Sequence, residues 1–233
     1  MIARAGIASR RGAEEMIRNG EVILNGKVVT ELGTRADLAR DHVKVDGRRL
    51  SQPTRFEYWL LNKPGNMVTT MSDPEKRPHV GHIIKAMGRK IVPAGRLDFH
   101  TTGALLLTND GELAARITHP RHNLEKIYQA KVNRVPGNRQ IDRLRNGVRL
   151  DDGVTKPAYV RIVRTADEKA WLELRIVEGR NRQVRRMMEA VGLTVEKLRR
   201  TAIGPIKLGR LATGTARHLT REEVAELRDA LGL

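Results

Sequence analysis

Apolar residues in this chain come in short bursts, none longer than four residues, as at Ala104-Leu105-Leu106-Leu107. A membrane-crossing helix needs about 20 consecutive apolar residues, and residues 1–16 contain no apolar stretch that would serve as a signal peptide. The expectation is a soluble, cytoplasmic protein assembled from many short strands and helices. The bursts recur along all 233 residues and apolar side chains make up 39% of them, enough to close a core.

Turn residues divide the bursts. Ser9 can cap a short helix over residues 9–19, in which Ala13, Met16 and Ile17 share a face, and Gly20 would end it. Asn25-Gly26 then stands between Val22-Ile23-Leu24 and Lys27-Val28-Val29, a strong hairpin signal because both central residues of a type I′ turn take positive φ. Asp46-Gly47 repeats the device after His42–Val45. These pieces form a small domain over residues 1–50, and Pro53 marks 51–55 as a linker.

A larger domain, 56–233, begins with a strand at Phe56–Leu61 that breaks at Lys63-Pro64-Gly65. Residues 103–108 read as a buried strand, Glu112–Thr118 as a helix, and Lys126–Val132, Ala158–Val163 and Trp171–Val177 as strands. Asn181–Val191 is an amphipathic helix with Val184, Met187, Met188 and Val191 on one face, and a last helix follows Thr220. Strands and helices mix without βαβ alternation, so the fold class is α+β on an antiparallel or mixed sheet.

Charge narrows the partners. Lys and Arg number 44 against 27 Asp and Glu, a formal net charge of +17, of which residues 1–50 carry +3 and the remainder +14. Nucleic acid is the leading partner, because neutralising phosphates releases counterions. No basic amphipathic helix with an aromatic face supports a membrane surface instead. Aromatics are only 3%, too few for an extended base-stacking platform. The absence of Cys excludes disulfides and thiolate chemistry. The histidines show no metal-ligand spacing, which disfavours metal catalysis, and neither GxxxxGK[ST] nor GxGxxG occurs, which argues against a nucleotide-fuelled or dinucleotide enzyme.

Three groups of residues can carry chemistry. Gly95-Arg96-Leu97-Asp98 reads either as a turn or as a carboxylate poised as nucleophile or base. Arg180, Arg182, Arg185 and Arg186 form the densest basic cluster, either a solvated helix face or a phosphate contact at a helix start. Tyr128 is either an ordinary core residue or a platform for one base.

In order, these pieces are distinctive. Residues Gly95–Gly111 (GRLDFHTTGALLLTNDG) strongly resemble the catalytic motif of ribosomal RNA pseudouridine synthases of the RsuA/RluB type. Leu61-Asn62-Lys63-Pro64-Gly65 resembles that family's first motif, Glu125-Lys126-Ile127-Tyr128 its base-stacking motif and Glu178–Met187 its basic motif. Residues 1–50 resemble a ribosomal protein S-four-like RNA-binding module through Ala5–Arg11 and Ile23–Val29. Only eight residues here precede Ser9, where the module has a further Arg-Leu-containing helix, so a shortened first helix is expected. Ala104 stands where a Leu is more usual.

The resemblance implies a pseudouridine synthase fold with a mixed, mainly antiparallel central sheet, preceded by a small α/β RNA-binding domain. It implies site-specific isomerisation of uridine to pseudouridine in ribosomal RNA, with large-subunit RNA favoured, and no cofactor. Asp98 matches the catalytic aspartate, with Arg180 the expected cation beside it and Arg182 second. Tyr128 would stack on the flipped base and Val184 pack against it, with Arg96 in support. Arg10, Arg11, Lys27, Lys63, Arg185 and Arg186 are the expected RNA contacts. The partner would be ribosomal RNA or a ribosomal assembly intermediate, met by a monomer. The alternative is a non-catalytic RNA-binding or assembly protein of the same fold.

Overall fold

A computed structural model describes residues 1–3, 5, 7–50 and 55–233, with Arg10 described by its backbone only. The expected linker, Arg55 apart, lies outside the described residues. The chain divides into two compact units, Met1–Glu57 with Asn109–Gly111, and Tyr58–Thr108 with Glu112–Leu233.

The small unit pairs one helix with one sheet. Helix α1 (Arg10–Arg18) starts where the Ser9 hydroxyl accepts the Gly12 amide at 3.0 Å. Strands β1 (Val22–Leu24), β2 (Lys27–Val28), β3 (Val43–Val45) and β4 (Arg48–Arg49) form an antiparallel sheet in the order β2-β1-β3-β4. Both hairpin turns have the expected left-handed pairs, Asn25-Gly26 (φ 49° and 85°) and Asp46-Gly47 (φ 48° and 71°). Ile2, Ala13, Val22, Val43, Val45 and Leu50 close its core, beside an open hollow of about 420 Å³ lined by Met1, Ile2, Ile17 and Leu24.

The large unit runs β5 (Tyr58–Lys63), α2 (Val80–Ala86), β6 (Val92–Ala94), β7 (Thr102–Thr108), α3 (Gly111–Thr118), a 3₁₀ turn at Pro120–His122 and β8 (Lys126–Val132). It continues through α4 (Asn138–Asn146), β9 (Arg149–Leu150), β10 (Gly153–Val154), β11 (Tyr159–Ala166), β12 (Lys169–Ile176) and α5 (Gln183–Ala190). It ends with β13 (Val195–Ile203), β14 (Ile206–Lys207), β15 (Ala216–His218) and α6 (Arg221–Asp229). Nine strands form one sheet in the order β11-β12-β8-β13-β7-β5-β15, with β14 against β13 and β6 against β7. Among the strands of this sheet in the described residues only β13 and β7 pair in parallel, so the sheet is mixed and mainly antiparallel as expected. No helix among the described residues is long and apolar enough to cross a membrane.

Two sequence expectations are corrected. Helix α5 begins at Gln183 rather than Asn181, because Arg182 adopts left-handed backbone (φ 47°) and cannot lie inside a right-handed helix. The apolar pattern gave no strand at Val195–Ile203, where four charged residues interrupt it, yet β13 joins the two halves of the sheet. Its tolerance for charge comes from position: Arg200 is buried against β7 and Tyr128, while Lys197 faces solvent.

Candidate active site

Asp98 sits in the turn between β6 and β7, and glycine supplies the geometry on both sides. Gly95 has φ 93°, and a Cβ there would meet Thr118 Cγ2 at 3.3 Å. Gly103 has φ 105°, and a Cβ there would fall 2.1 Å from the Arg200 carbonyl oxygen, so β7 can lie against β13 only without a side chain.

Between these glycines the turn is tied down from several directions. The Thr101 amide donates to the Asp98 carbonyl at 3.0 Å. The Thr69 hydroxyl donates to the Leu97 carbonyl at 2.7 Å and accepts the Leu97 amide at 3.2 Å. The Met67 amide reaches the Phe99 carbonyl at 3.2 Å. Lys63, at the end of β5, donates from Nζ to the carbonyls of Pro64 (2.8 Å), Thr101 (3.0 Å) and Phe99 (3.4 Å). Lys63 is fully buried, which corrects its expected role as an RNA contact: its ammonium holds the turn carrying Asp98. Burial first, and the nearby Arg200 charge with it, push the lysine down to about 8 against the opposing pull of Asp98.

Strand β8 brings the aromatic. Alternation puts Lys126, Tyr128 and Ala130 on one face and Ile127, Gln129 and Lys131 on the other. The Tyr128 hydroxyl accepts from Arg200 Nη1 at 3.4 Å, and Arg200 Nε donates to the Ala104 carbonyl at 2.8 Å. Thus one buried guanidinium connects the strand that follows the Asp98 turn to the tyrosine. Burial and Arg200 also hold Lys126 down at about 8.

These residues border a cleft of about 710 Å³ lined by Arg96, Asp98, Lys126, Arg180, Arg182 and Arg200 among others. A smaller recess of about 100 Å³ shares those six and adds Tyr128 and Val184. The sequence-predicted Asp98, Arg96, Tyr128, Arg180, Arg182 and Val184 therefore converge on one place.

The expected pairing of Arg180 with Asp98 is corrected. Arg180 donates through Nε to Glu178 (3.2 Å) and through its terminal nitrogens to Asp152 and the Gly153 and Val154 carbonyls, so its charge is already matched. Asp98 instead acts on Arg185 and Lys63, supporting the charged form of each. Arg185 donates to the Val195 carbonyl at 2.9 Å while its Nε is buried without a partner. Burial, then the like charge of Arg182, lower its proton affinity, and Asp98 and Glu189 oppose them. Arg186 forms a two-pronged ion pair with Asp152 at 2.9 and 3.0 Å. In the small unit Arg11 and Lys27 are exposed, and the Arg10 side chain lies outside the described residues.

The sequence reading did not single out Lys126 or Arg200 as site residues. Lys126 could have been found by period two from Tyr128. Arg200 carried no such signal, because nothing marked its strand. Among the described residues no cluster of His, Cys, Asp or Glu could hold a metal ion.

A family model for RNA pseudouridylate synthase matches residues 57–190, which include Asp98, Tyr128 and the whole arginine cluster, and an S4 domain model matches residues 1–41. The chain belongs to the RNA pseudouridylate synthase family. It is 44% identical over 230 residues to the ribosomal large subunit pseudouridine synthase B of Bacillus subtilis, covering 98% of this chain and 93% of that protein. An RNA pseudouridine synthase of Aquifex aeolicus is 43% identical over 233 residues, covering 100% and 93%. Among solved structures, a crystal structure of a pseudouridylate synthase superposes with a TM-score of 0.70 at 32% identity, covering 97% of this chain and 96% of that one. The chain is thus an RNA pseudouridine synthase with an S4 module at its N-terminal end, and the α+β architecture is that of its family.

Proposed function

We propose that this synthase converts a specific uridine of large-subunit ribosomal RNA to pseudouridine, with Asp98 as its catalytic carboxylate. The reaction breaks the bond from the sugar C1′ to the base N1, turns the base and forms a bond from C1′ to C5. The proton that C5 loses is matched by one gained at N1, so no atom or electron is added overall. Asp98 can serve by attacking the sugar, attacking the base or removing a sugar proton. Each route uses the carboxylate itself, and the cations of Arg185 and Lys63 lie within its electrostatic reach.

The observation that carries this reading is the shared recess of Asp98, Tyr128 and Val184, about 100 Å³ in volume and opening beside a cation-lined cleft. A flipped uracil stacked on Tyr128 and backed by Val184 would meet Asp98 at its sugar. Extrusion costs a few kcal/mol, least from a loop or bulge, which suits structured ribosomal RNA or an assembly intermediate. Arg182, Arg96 and Lys126 would engage its backbone, Arg10, Arg11 and Lys27 of the S4 module would add contacts, and the enzyme would act in the cytoplasm as a monomer.

Carbodiimide mapping of pseudouridine in ribosomal RNA from a deletion strain tests this. One site should vanish, return with wild type and stay absent with Asp98→Asn; an unchanged map in the deletion strain overturns the assignment. Arg185→Met should lower kcat far more than Arg180→Met. Tyr128→Ala should cripple turnover more than RNA binding, and equal losses in both would exclude stacking.

A further inference from the structure

Strand β12 alternates without a break. Ala170, Leu172, Leu174 and Ile176 are buried in the cluster formed with α4 and α5, while Lys169, Trp171, Glu173 and Arg175 point the other way. Strand register extends this second face across β11, β8 and β13. One row reads Arg164, Trp171, Lys131, Lys197, and the next reads Arg161, Glu173, Gln129, Arg199. Tyr159 and Arg175 begin a third row. Tyr128 pairs with Leu174 and Arg200 on the opposite side of β8, so this face is the back of the sheet relative to the recess.

The face is cationic beyond its own internal pairing. Glu173 bridges Arg161 and Arg175, each at 3.1 Å, and Glu196 joins Lys131 and Lys169. No carboxylate within ion-pair distance is found among the described residues for Arg164, Lys197 or Arg199. Two guanidiniums lie over rings, Arg164 at 5.6 Å from the Trp171 centroid and Arg175 at 4.8 Å from that of Tyr159. The Arg164 guanidinium, resting on its ring, has no carboxylate on its N–H edge among the described residues and loses less entropy when it grips a phosphate, whereas the Arg175 edge is taken by Glu173. Tyr159 is nonetheless 49% exposed.

We infer that this sheet face is a second RNA-binding surface, which holds the phosphate backbone of substrate RNA away from the target nucleotide. The inference rests on the proposed RNA substrate but not on the role of Asp98. RNA fits better than an acidic protein segment because the cations stand in rows across four strands and one of them, Arg164, is a ring-backed fork suited to phosphate. Because the face lies behind the recess, it serves RNA that extends past the β11 edge. It therefore contributes affinity for long RNA and nothing to the chemical step.

The test uses the full chain with Arg164→Gln, Lys197→Gln and Arg199→Gln combined, none of which lies in the cleft. Binding to a loop-free RNA duplex is measured by fluorescence anisotropy over a range of salt. The slope of log K against log salt should flatten by about 2–3, at about 0.7–0.9 for each of three phosphates no longer neutralised. On full-length ribosomal RNA, KM should rise while kcat is unchanged. The combined Arg164→Lys, Lys197→Arg, Arg199→Lys variant should keep the wild-type slope, which separates charge from misfolding. An unchanged slope in the glutamine variant overturns the proposal. So does loss of binding to polyglutamate with duplex binding intact, which would assign the face to an acidic protein. Asp98→Asn should bind duplex like wild type; if it is fully active while the triple variant still flattens the slope, only the catalytic assignment fails.

Discussion

The two halves of the large sheet are built to different rules. In β5 and β7 both faces are covered: Leu60 and Leu106 pack with α3 and α6, while Leu61, Leu105 and Leu107 pack with α2. In β12 one face is covered and the other is free, and in β11 only Val160 of eight residues is buried. Strands covered twice read as continuous apolar runs, and strands covered once alternate. The Asp98 turn hangs from the doubly covered half. There its backbone is held by Lys63, Thr69 and the close approach of β13. The half that carries Asp98 is thus held on both faces, and the half proposed to hold extended RNA on one.

Gly103→Ala should break this contrast most severely. The new methyl would strike the Arg200 backbone, and a non-glycine residue at that φ itself costs on the order of 1–3 kcal/mol. Urea unfolding should show a loss of about 3 kcal/mol or more, with activity lost even where the protein folds. A loss below about 1 kcal/mol would mean that β7 and β13 can separate freely.

Lys63→Met asks whether the doubly covered half matters for position as well as stability. Methionine fills similar space but removes the Nζ donor from the Pro64 and Thr101 carbonyls and leaves the Phe99 carbonyl to the Met67 amide alone. The Asp98 turn should shift, and misplacement on the order of 1 Å can cost about a hundredfold in rate. Single-turnover assays should show kcat reduced by that order with RNA affinity unchanged. A variant with wild-type kcat would reduce Lys63 to a packing residue.

How much of this was legible follows the same division. The Gly95–Thr108 segment was readable because a turn followed by an uninterrupted apolar run has few other structures. Asn25-Gly26 and Asp46-Gly47 were readable because a left-handed pair favours those residues. β12 was readable from its alternation. β13 was not, since its charges obey two different environments, Arg200 interior and Lys197 exterior, which only the neighbouring strands decide. Lys63 looked like a surface cation because nothing local shows that three carbonyls will close around it. Arg180 looked the best partner for Asp98 by position in the motif. The left-handed Arg182 changes the chain direction, sends Arg180 towards Glu178 and Asp152, and leaves Arg185, within α5, in the field of Asp98.

A smaller effect comes from pH. Lys63 is held at about 8, whereas an unfolded lysine titrates near 10.4. Between those values the unfolded chain binds more protons, so the Lys63 contribution to stability rises with pH across that window and is flat below it. Lys126, also held at about 8, adds in the same direction. From pH 7.5 to 9.5 Lys63 alone should raise the unfolding free energy by about 2 kcal/mol, and that share should be missing in Lys63→Met. An equal gain in that variant would place the titrating groups elsewhere.

The smallest effect belongs to the open half. Glu173→Gln removes the carboxylate shared by Arg161 and Arg175, whose side chains are 48% and 40% exposed. The Arg161 hydrogen bonds, opposed by partial burial and aided by Arg175, hold the Glu173 carboxyl below its usual value. Its stabilising share is therefore present above the unfolded pKa and lost as pH falls through the folded one. Because both arginines keep access to water, the substitution should cost only about 0.2–1 kcal/mol at neutral pH, read from urea midpoints. It also releases two guanidiniums on the proposed RNA face, so duplex binding should tighten at low salt while kcat stays constant. A cost approaching that of Gly103→Ala would mean that Glu173 braces the sheet, and the contrast between a covered half and a free half would fail at its most exposed point.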